Sequence, residues 1–370
     1  MTNATRVYFD SDPSSLWLRN IPLNQFQRSA RARNLDSTHF FSHVGSIVLL
    51  PRKHKTHSSI LWTPNPSTKS IIITSTSLRP GYGLAGGHEY EMKTVALPGG
   101  ERVPVLGQGT WRMGENARAH KEEVAALRLG IELGMTLIDT AEMYGEGGAE
   151  EVVADAIEDQ RDRVFVVSKV YPHNASRTEL PKACERSLKR LRIDAIDLYL
   201  LHWRERSTQL AETVEAFEKL RTAGKIKRWG VSNFDVDDME ELRSIENGAN
   251  CDANQVLYNL ENREIESGLL QWSQENEIPI MAYSPVGHGR GLLESARLKK
   301  IAKRHDAITS QISLAWVLRQ PRVIAIPKAS KEKHVRDNVR SIEIKLTRED
   351  LADLDQEFPA PKSKKSLPML

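Results

Sequence analysis

From residue 92 to the end of the chain, short apolar runs alternate with stretches of helical periodicity. The runs "VLGQGTW", "TLIDTA", "VFVVSKV", "AIDLYLLHW", "RWGVSNF", "NQVLYN", "PIMAYSPV" and "VIAIPKA" have the length and β-branched content of strands. Between them "HKEEVAALRLGIELG", "GAEEVVADAIEDQ", "LPKACERSLKRLR", "LAETVEAFEKLRTAG", "VDDMEELRSIENG" and "SARLKKIAKRHDA" read as amphipathic helices. In the first of these Val124, Leu127 and Ile131 share a face that excludes Lys121, Glu122 and Arg128, as a helix lying on a sheet requires. Eight strands alternating with helices predict an α/β fold, a closed (β/α)8 barrel, with an open doubly wound sheet as the competing arrangement. Ahead of the first unit, "KTVALPGGERVPVL" reads as a β-hairpin able to cover the bottom of a barrel. At the end, "LTREDLADLDQEF" reads as a helix with Thr347 and Asp350 in capping-box spacing.

Residues 1–91 lack this regularity and are expected to form a poorly ordered extension to the barrel of residues 92–370. They are rich in Ser, Thr, Asn, Arg and Pro. Two origins fit: an Arg- and Ser-rich targeting segment, or translation from an upstream start, with Met92 opening the structured part. The second is favoured.

Alternation along a strand sorts its side chains by face. Leu137 and Asp139 share one, Phe165, Val167 and Lys169 share another, and Leu198, Leu200 and His202 a third. Three consecutive strands therefore carry an apolar face that ends in an ionisable residue near the C-terminal end, where barrels assemble active sites. Asp139 is costly to bury alone, and Lys169 on the next strand is its expected partner. A plain ion pair closing the core accounts for those two residues; it does not account for Tyr144 and His202 converging on the same mouth. A tyrosine titrates near pH 10 and becomes a useful acid when a cation favours its phenolate. Lys169 supplies that cation, Asp139 holds it charged, and His202 is placed to meet a substrate oxygen. Proton donation of this kind contributes about 10² to 10⁴ in rate, so carbonyl reduction also needs a hydride source. Ser232, Asn233 and Gln255 on later strands are suited to a carboxamide, Tyr283 to stacking on a flat ring, and Lys328 to phosphate, beside a helix bearing His334, Arg336, Asp337 and Asn338.

Composition narrows the partners. The chain has 370 residues, 39% hydrophobic and 27% charged, and no apolar run near the roughly 20 residues that cross a bilayer. Residues 1–91 hold seven Arg and three Lys against three Asp and two Glu, so they carry +5 of the net +3 and leave the other 279 residues at −2. Nucleic acid is therefore not an expected partner of the barrel, and neither is a membrane. Cys184 and Cys251 are too few for a disulfide framework, which points to a reducing compartment, the cytoplasm. "GYGLAG" at residues 81–86 matches a dinucleotide-binding pattern but lacks the helix that must follow it. His39, His43, His54 and His57 have ligand-like spacing without carboxylate or cysteine companions, so no metal site is expected. The basic "PKSKKSL" reads as a solvated tail.

Taken in order, "GQGTW", "GMTLIDTAEMYG", "VFVVSKV", "DLYLLHW", "GKIKRWGVSNF", "NQVLYN", "AYSPVG" and "IPKASKEKHVRDN" make the chain from about Lys93 onward resemble the aldo-keto reductases. It is similar to the bacterial members that reduce methylglyoxal and other small aldehydes. The resemblance implies a TIM barrel that binds NADPH without a Rossmann fold and works as a monomer. It implies that Tyr144 donates the proton, that Lys169 and Asp139 tune it, and that His202 orients the carbonyl. By the same resemblance Ser232, Asn233 and Gln255 hold the carboxamide, Tyr283 stacks beneath the nicotinamide and Ser284 lies near the pyrophosphate. Lys328 meets the 2′-phosphate and Asn338 the adenine, while Trp111 and Trp203 line the substrate opening. Where many members place an arginine on the 2′-phosphate, this chain has His334, a weaker cation, so use of NADH stays open. A barrel that senses nicotinamide nucleotide without turnover is the alternative function; the intact set of four ionisable residues argues against it.

Overall fold

The computed structural model describes residues 90–370 except 206, 207, 289 and 290, together with the backbone of four short strands ahead of them. Those strands form two antiparallel pairs, β1 (Thr5–Phe9) with β2 (Leu16–Asn20) and β3 (Ile47–Leu49) with β4 (Ile60–Trp62). The remainder of the expected extension, with residues 81–86 and the four early histidines, lies outside the described residues.

In the compact unit of residues 82–370 a hairpin of β5 (Thr94–Ala96) and β6 (Arg102–Pro104) precedes eight parallel strands. These are β7 (Gln108–Gly109), β8 (Leu137–Asp139), β9 (Phe165–Val170), β10 (Leu198–Leu201), β11 (Trp229–Ser232), β12 (Cys251–Leu257), β13 (Ile280–Tyr283) and β14 (Val323–Ala325). Each pairs with its sequence neighbour. The sheet then closes on itself through parallel bridges Leu106–Ala325 and Gly109–Lys328, supported by the Gly107 N–H donating to Ala325 O at 2.8 Å. Closure removes both sheet edges and excludes the open-sheet alternative.

The parity argument holds. Leu137, Phe165, Val167, Leu198 and Leu200 meet Ala253, Met281 and Ile324 inside the barrel, where Val95, Leu97 and Val103 of the hairpin segment join them as a plug. The opposite faces, Ile138, Val166, Tyr199, Leu201 and Val231, pack outward against the helices. The helices are α1 (His120–Glu132), α2 (Gly148–Ile157), α3 (Glu179–Leu191), α4 (Leu210–Thr222), α5 (Val236–Ser244), α6 (Leu269–Glu275), α7 (Ala296–Arg304), α8 (Thr309–Leu318), α9 (Glu332–Arg340) and α10 (Arg348–Glu357).

Two of these were not read from the pattern. α8 is buried from Gln311 through Val317, so it has no polar face to give a helical period. α6 spans only seven residues. The capping box at α10 is present as expected: the Asp350 N–H donates to Thr347 Oγ1 at 3.1 Å and the Thr347 N–H to Asp350 Oδ2 at 2.8 Å. The tail is less solvated than expected. Its lysines are exposed, but Leu367 packs against the core and Lys364 Nζ lies 2.7 Å from Asp237 Oδ2.

Candidate active site

Asp139 ends β8, Lys169 sits in β9, and His202 follows β10, so three adjacent strands aim their last inward side chains into one mouth. Lys169 is fully buried, and its ammonium uses all three donors: Asp139 Oδ2 at 2.8 Å, Thr140 O at 2.9 Å and Tyr144 Oη at 3.3 Å. The second carboxylate oxygen of Asp139 accepts from Gln255 Nε2 at 2.7 Å, across the barrel. With each carboxylate oxygen met by a donor, the pair tolerates burial. The ring of Tyr144 lies edge-on to His202 at 5.8 Å between centroids. The four residues singled out in the sequence are therefore gathered.

Electrostatics correct one expectation. Burial pushes the Tyr144 phenol above its ordinary value; Lys169 pulls it down and Asp139 pushes it up again, with a net upward direction. The ammonium was expected to bring it down, but in this cleft desolvation outweighs the cation. Because the phenol oxygen accepts from Lys169, its own hydrogen is free to point into the cleft. Burial works against the Lys169 charge, yet Asp139 and Tyr144 carry its net shift upward, so it stays an ammonium. Burial raises the Asp139 carboxyl against the pull of Lys169 and Gln255. His202 is held well below the ordinary histidine value by burial and by Lys169, so it is neutral, and its buried Nδ1 has no partner.

The later strands supply a polar shelf. Ser232 Oγ donates to the Gln255 carbonyl at 2.8 Å, and Asn233 Nδ2 donates to His202 O at 3.2 Å. Tyr283 donates to Asn233 Oδ1 at 3.0 Å, and Ser284 follows it with a carbonyl held by Asn259 Nδ2 at 2.9 Å. Gln255 thus holds Asp139 as well as belonging to the shelf, a link that strand parity alone does not disclose. Lys328 follows β14 beside Gly109, with Ser330 Oγ 3.3 Å from its ammonium. His334 lies in the first turn of α9 and Asn338 is buried on the same helix.

The glycines after Tyr144 answer a packing demand. A Cβ on Gly114 would lie 2.2 Å from the Gly148 carbonyl carbon, and one on Gly147, at φ +93°, would lie 2.4 Å from the Arg190 side chain. The loop after β7 and the Tyr144 loop therefore meet backbone to backbone. Sequence reasoning missed residues contributed by other loops. Tyr171 stands edge-on to Trp203 at 6.1 Å and its N–H donates to Glu142 Oε1 at 2.8 Å; Trp203 in turn lies 5.1 Å from His202. His288 lies 5.2 Å from Trp111, which remains 39% exposed. Their signal was only an aromatic residue a few positions past a strand, which any core position can show.

Residues 105–357 match the model of the aldo/keto reductase family. The methylglyoxal reductase YeaE of Escherichia coli is 51% identical over 284 residues, 76% of this chain and 100% of the relative. A glyoxal reductase of Bacillus subtilis is 34% identical over 71% of this chain and 91% of its own length. Among solved structures, an aldo-keto reductase from Klebsiella pneumoniae in complex with NADPH superposes with a TM-score of 0.74 at 48% identity, covering 76% of this chain and all of that one.

Proposed function

This chain belongs to the aldo/keto reductase family and is an NADPH-dependent carbonyl reductase, and from that premise we propose that it reduces small aldehydes of the methylglyoxal type, with Tyr144 as proton donor. One observation carries the assignment of roles: the Tyr144 phenol, kept protonated by burial, touches a lysine braced by Asp139, beside a neutral imidazole.

The residues present fit the cofactor. Lys328 and His334 have no carboxylate partner among the described residues, leaving the Lys328 ammonium ahead of the start of α9, where an anion is favoured. Ser232, Asn233 and Gln255 would hold the carboxamide, Tyr283 the nicotinamide face, Ser284 the pyrophosphate, Lys328 and His334 the 2′-phosphate and Asn338 the adenine. When bound, NADPH supplies the hydride. Neutral His202 donates to the carbonyl oxygen and orients it, and Tyr144 passes its hydrogen to that oxygen as the carbonyl carbon is reduced. The phenolate left behind is stabilised by the Lys169 ammonium 3.3 Å away and recovers its proton from solvent. Trp111 and Trp203 wall the opening. The chain acts as a monomer in a reducing compartment such as the cytoplasm, consistent with Cys184 and Cys251 being buried thiols pushed up to about 12.

The test is to follow loss of NADPH absorbance with methylglyoxal. Tyr144→Phe should lower kcat by about 10² to 10⁴ while NADP+ still quenches protein fluorescence at wild-type affinity. Cofactor binding without turnover of any aldehyde by the wild type would favour a sensing barrel instead.

A further inference from the structure

The loop after β7 contains a charge that the chemistry above does not use. Arg112 adopts φ 63°, a left-handed conformation that residues with a side chain seldom take. That turn lays its guanidinium over the Trp111 ring, 4.5 Å from the centroid, and His288 reaches the same ring from the loop after β13. Arg112 is exposed and has no carboxylate partner among the described residues. Arg204, also just past a strand, differs: Asp238 and Glu241 take its guanidinium at 2.8 and 2.7 Å. Deeper in the mouth the Lys169 charge is met by Asp139, and His202 is neutral, so the floor offers no net cation to an anionic substrate. Of the buried acids near this mouth, Glu142 is occupied by the Tyr171 N–H and Asn174 Nδ2, and Glu123 by the Gly114 N–H at 3.0 Å.

We propose that Arg112 is a specificity-determining residue that selects carbonyl substrates bearing a carboxylate distal to the reacting group. Its planar guanidinium matches a planar carboxylate with two parallel hydrogen bonds, and stacking on Trp111 fixes its plane in advance. Trp111 then covers the apolar link between the carboxylate and the carbonyl. This deepens the reductase reading and rests on it.

The test compares para-carboxybenzaldehyde with its methyl ester in the wild type, Arg112→Gln and Arg112→Lys. At low salt the wild type should show a KM about tenfold lower for the acid than for the ester, a gap that narrows as ionic strength rises. In Arg112→Gln the KM for the acid should rise about tenfold and that for the ester less than about twofold, with the change in KM rather than kcat; Arg112→Lys should recover part of the difference. Equal shifts for both aldehydes would make Arg112 a packing residue on Trp111 and overturn the proposal, as would a wild-type preference for the ester. Titrating tryptophan fluorescence with benzoate and with methyl benzoate gives the same comparison without turnover. Failure to reduce either aldehyde would then count against the reductase reading, while the benzoate arm alone decides the role of Arg112.

Discussion

The two ends of the barrel are built to different rules. At the bottom, Asp197 accepts from Arg161 and Lys227 at 2.7 Å each and from the Val166 N–H at 2.8 Å, and Arg228 ties Glu101 of the hairpin segment to the strands. A cavity of about 370 Å³ there is lined by Arg161, Asp197 and Lys227 with their charges already matched. At the mouth, His202 Nδ1 is buried without a partner and Trp111 stays exposed. Backbone strain follows the same division. Left-handed Arg192, Glu277 and Asp306 each follow the end of a helix, where that conformation caps the last turn, and left-handed Asn247 and Arg322 turn the chain ahead of β12 and β14. Left-handed Arg112, Glu146, Asn233 and Ser284 each follow a strand at the mouth and cap nothing. The bottom holds the fold, and the mouth holds groups in place for a ligand.

The largest expected effect tests whether the mouth also bears stability. Lys169→Met leaves Asp139 buried against Gln255 alone and should cost about 3–5 kcal/mol in urea unfolding, as removing one member of a buried pair does. Adding Asp139→Asn should recover much of that cost but no activity. An unchanged urea midpoint in the single variant would mean that solvent reaches the pair. At the bottom the division predicts the reverse: Leu97→Ala should cost about 2–5 kcal/mol with kcat and KM within about twofold of wild type. A large fall in kcat there would show that the plug is not insulated from the mouth. Gly114→Ala is the next step down, about 1–3 kcal/mol for forcing a Cβ into the Gly148 backbone. Its effect on kcat should exceed that of Leu97→Ala, because Gly148 closes the loop that carries Tyr144.

Why so much of this was legible follows from what sets each feature. Strand parity is a local rule, so the sequence alone assigns Leu137 and Asp139, or Phe165, Val167 and Lys169, to one face, and the barrel interior contains them as expected. The quartet was legible because it needs ionisable residues where a core would be apolar. Gln255 against Asp139 was not, since the two are 116 residues apart and nothing local in either strand encodes the contact. α8 was invisible for a different reason: a helix covered on all sides loses the period that marks it. The direction of the Tyr144 shift was misjudged because a neighbouring cation can be read from sequence, whereas the depth of burial that outweighs it cannot.

The smallest effect separates the two ends by pH. Asp252, beside the hairpin at the bottom, is pushed up to about 6 by burial against the pull of Arg228 and the Gly99 N–H. A carboxyl with a raised folded value binds its proton more tightly in the native state, so the stability it contributes is complete below about 4 and is lost as pH rises through about 6. His202 at the mouth is displaced the other way. Its folded value lies well below the ordinary one, so the unfolded chain takes up the proton first, and stability falls as pH drops below about 6.5. Between about pH 4 and 6.5 Asp252 and His202 therefore oppose each other, each by at most about 1.4 kcal/mol per pH unit. Asp252→Asn should remove the bottom's contribution, so that stability falls more steeply on acidification. His202→Gln should remove the mouth's and leave stability rising as pH falls through the same window. Urea midpoints measured across that range decide the matter: parallel profiles for the two variants would mean that Asp252 and His202 do not act on stability with opposite sign.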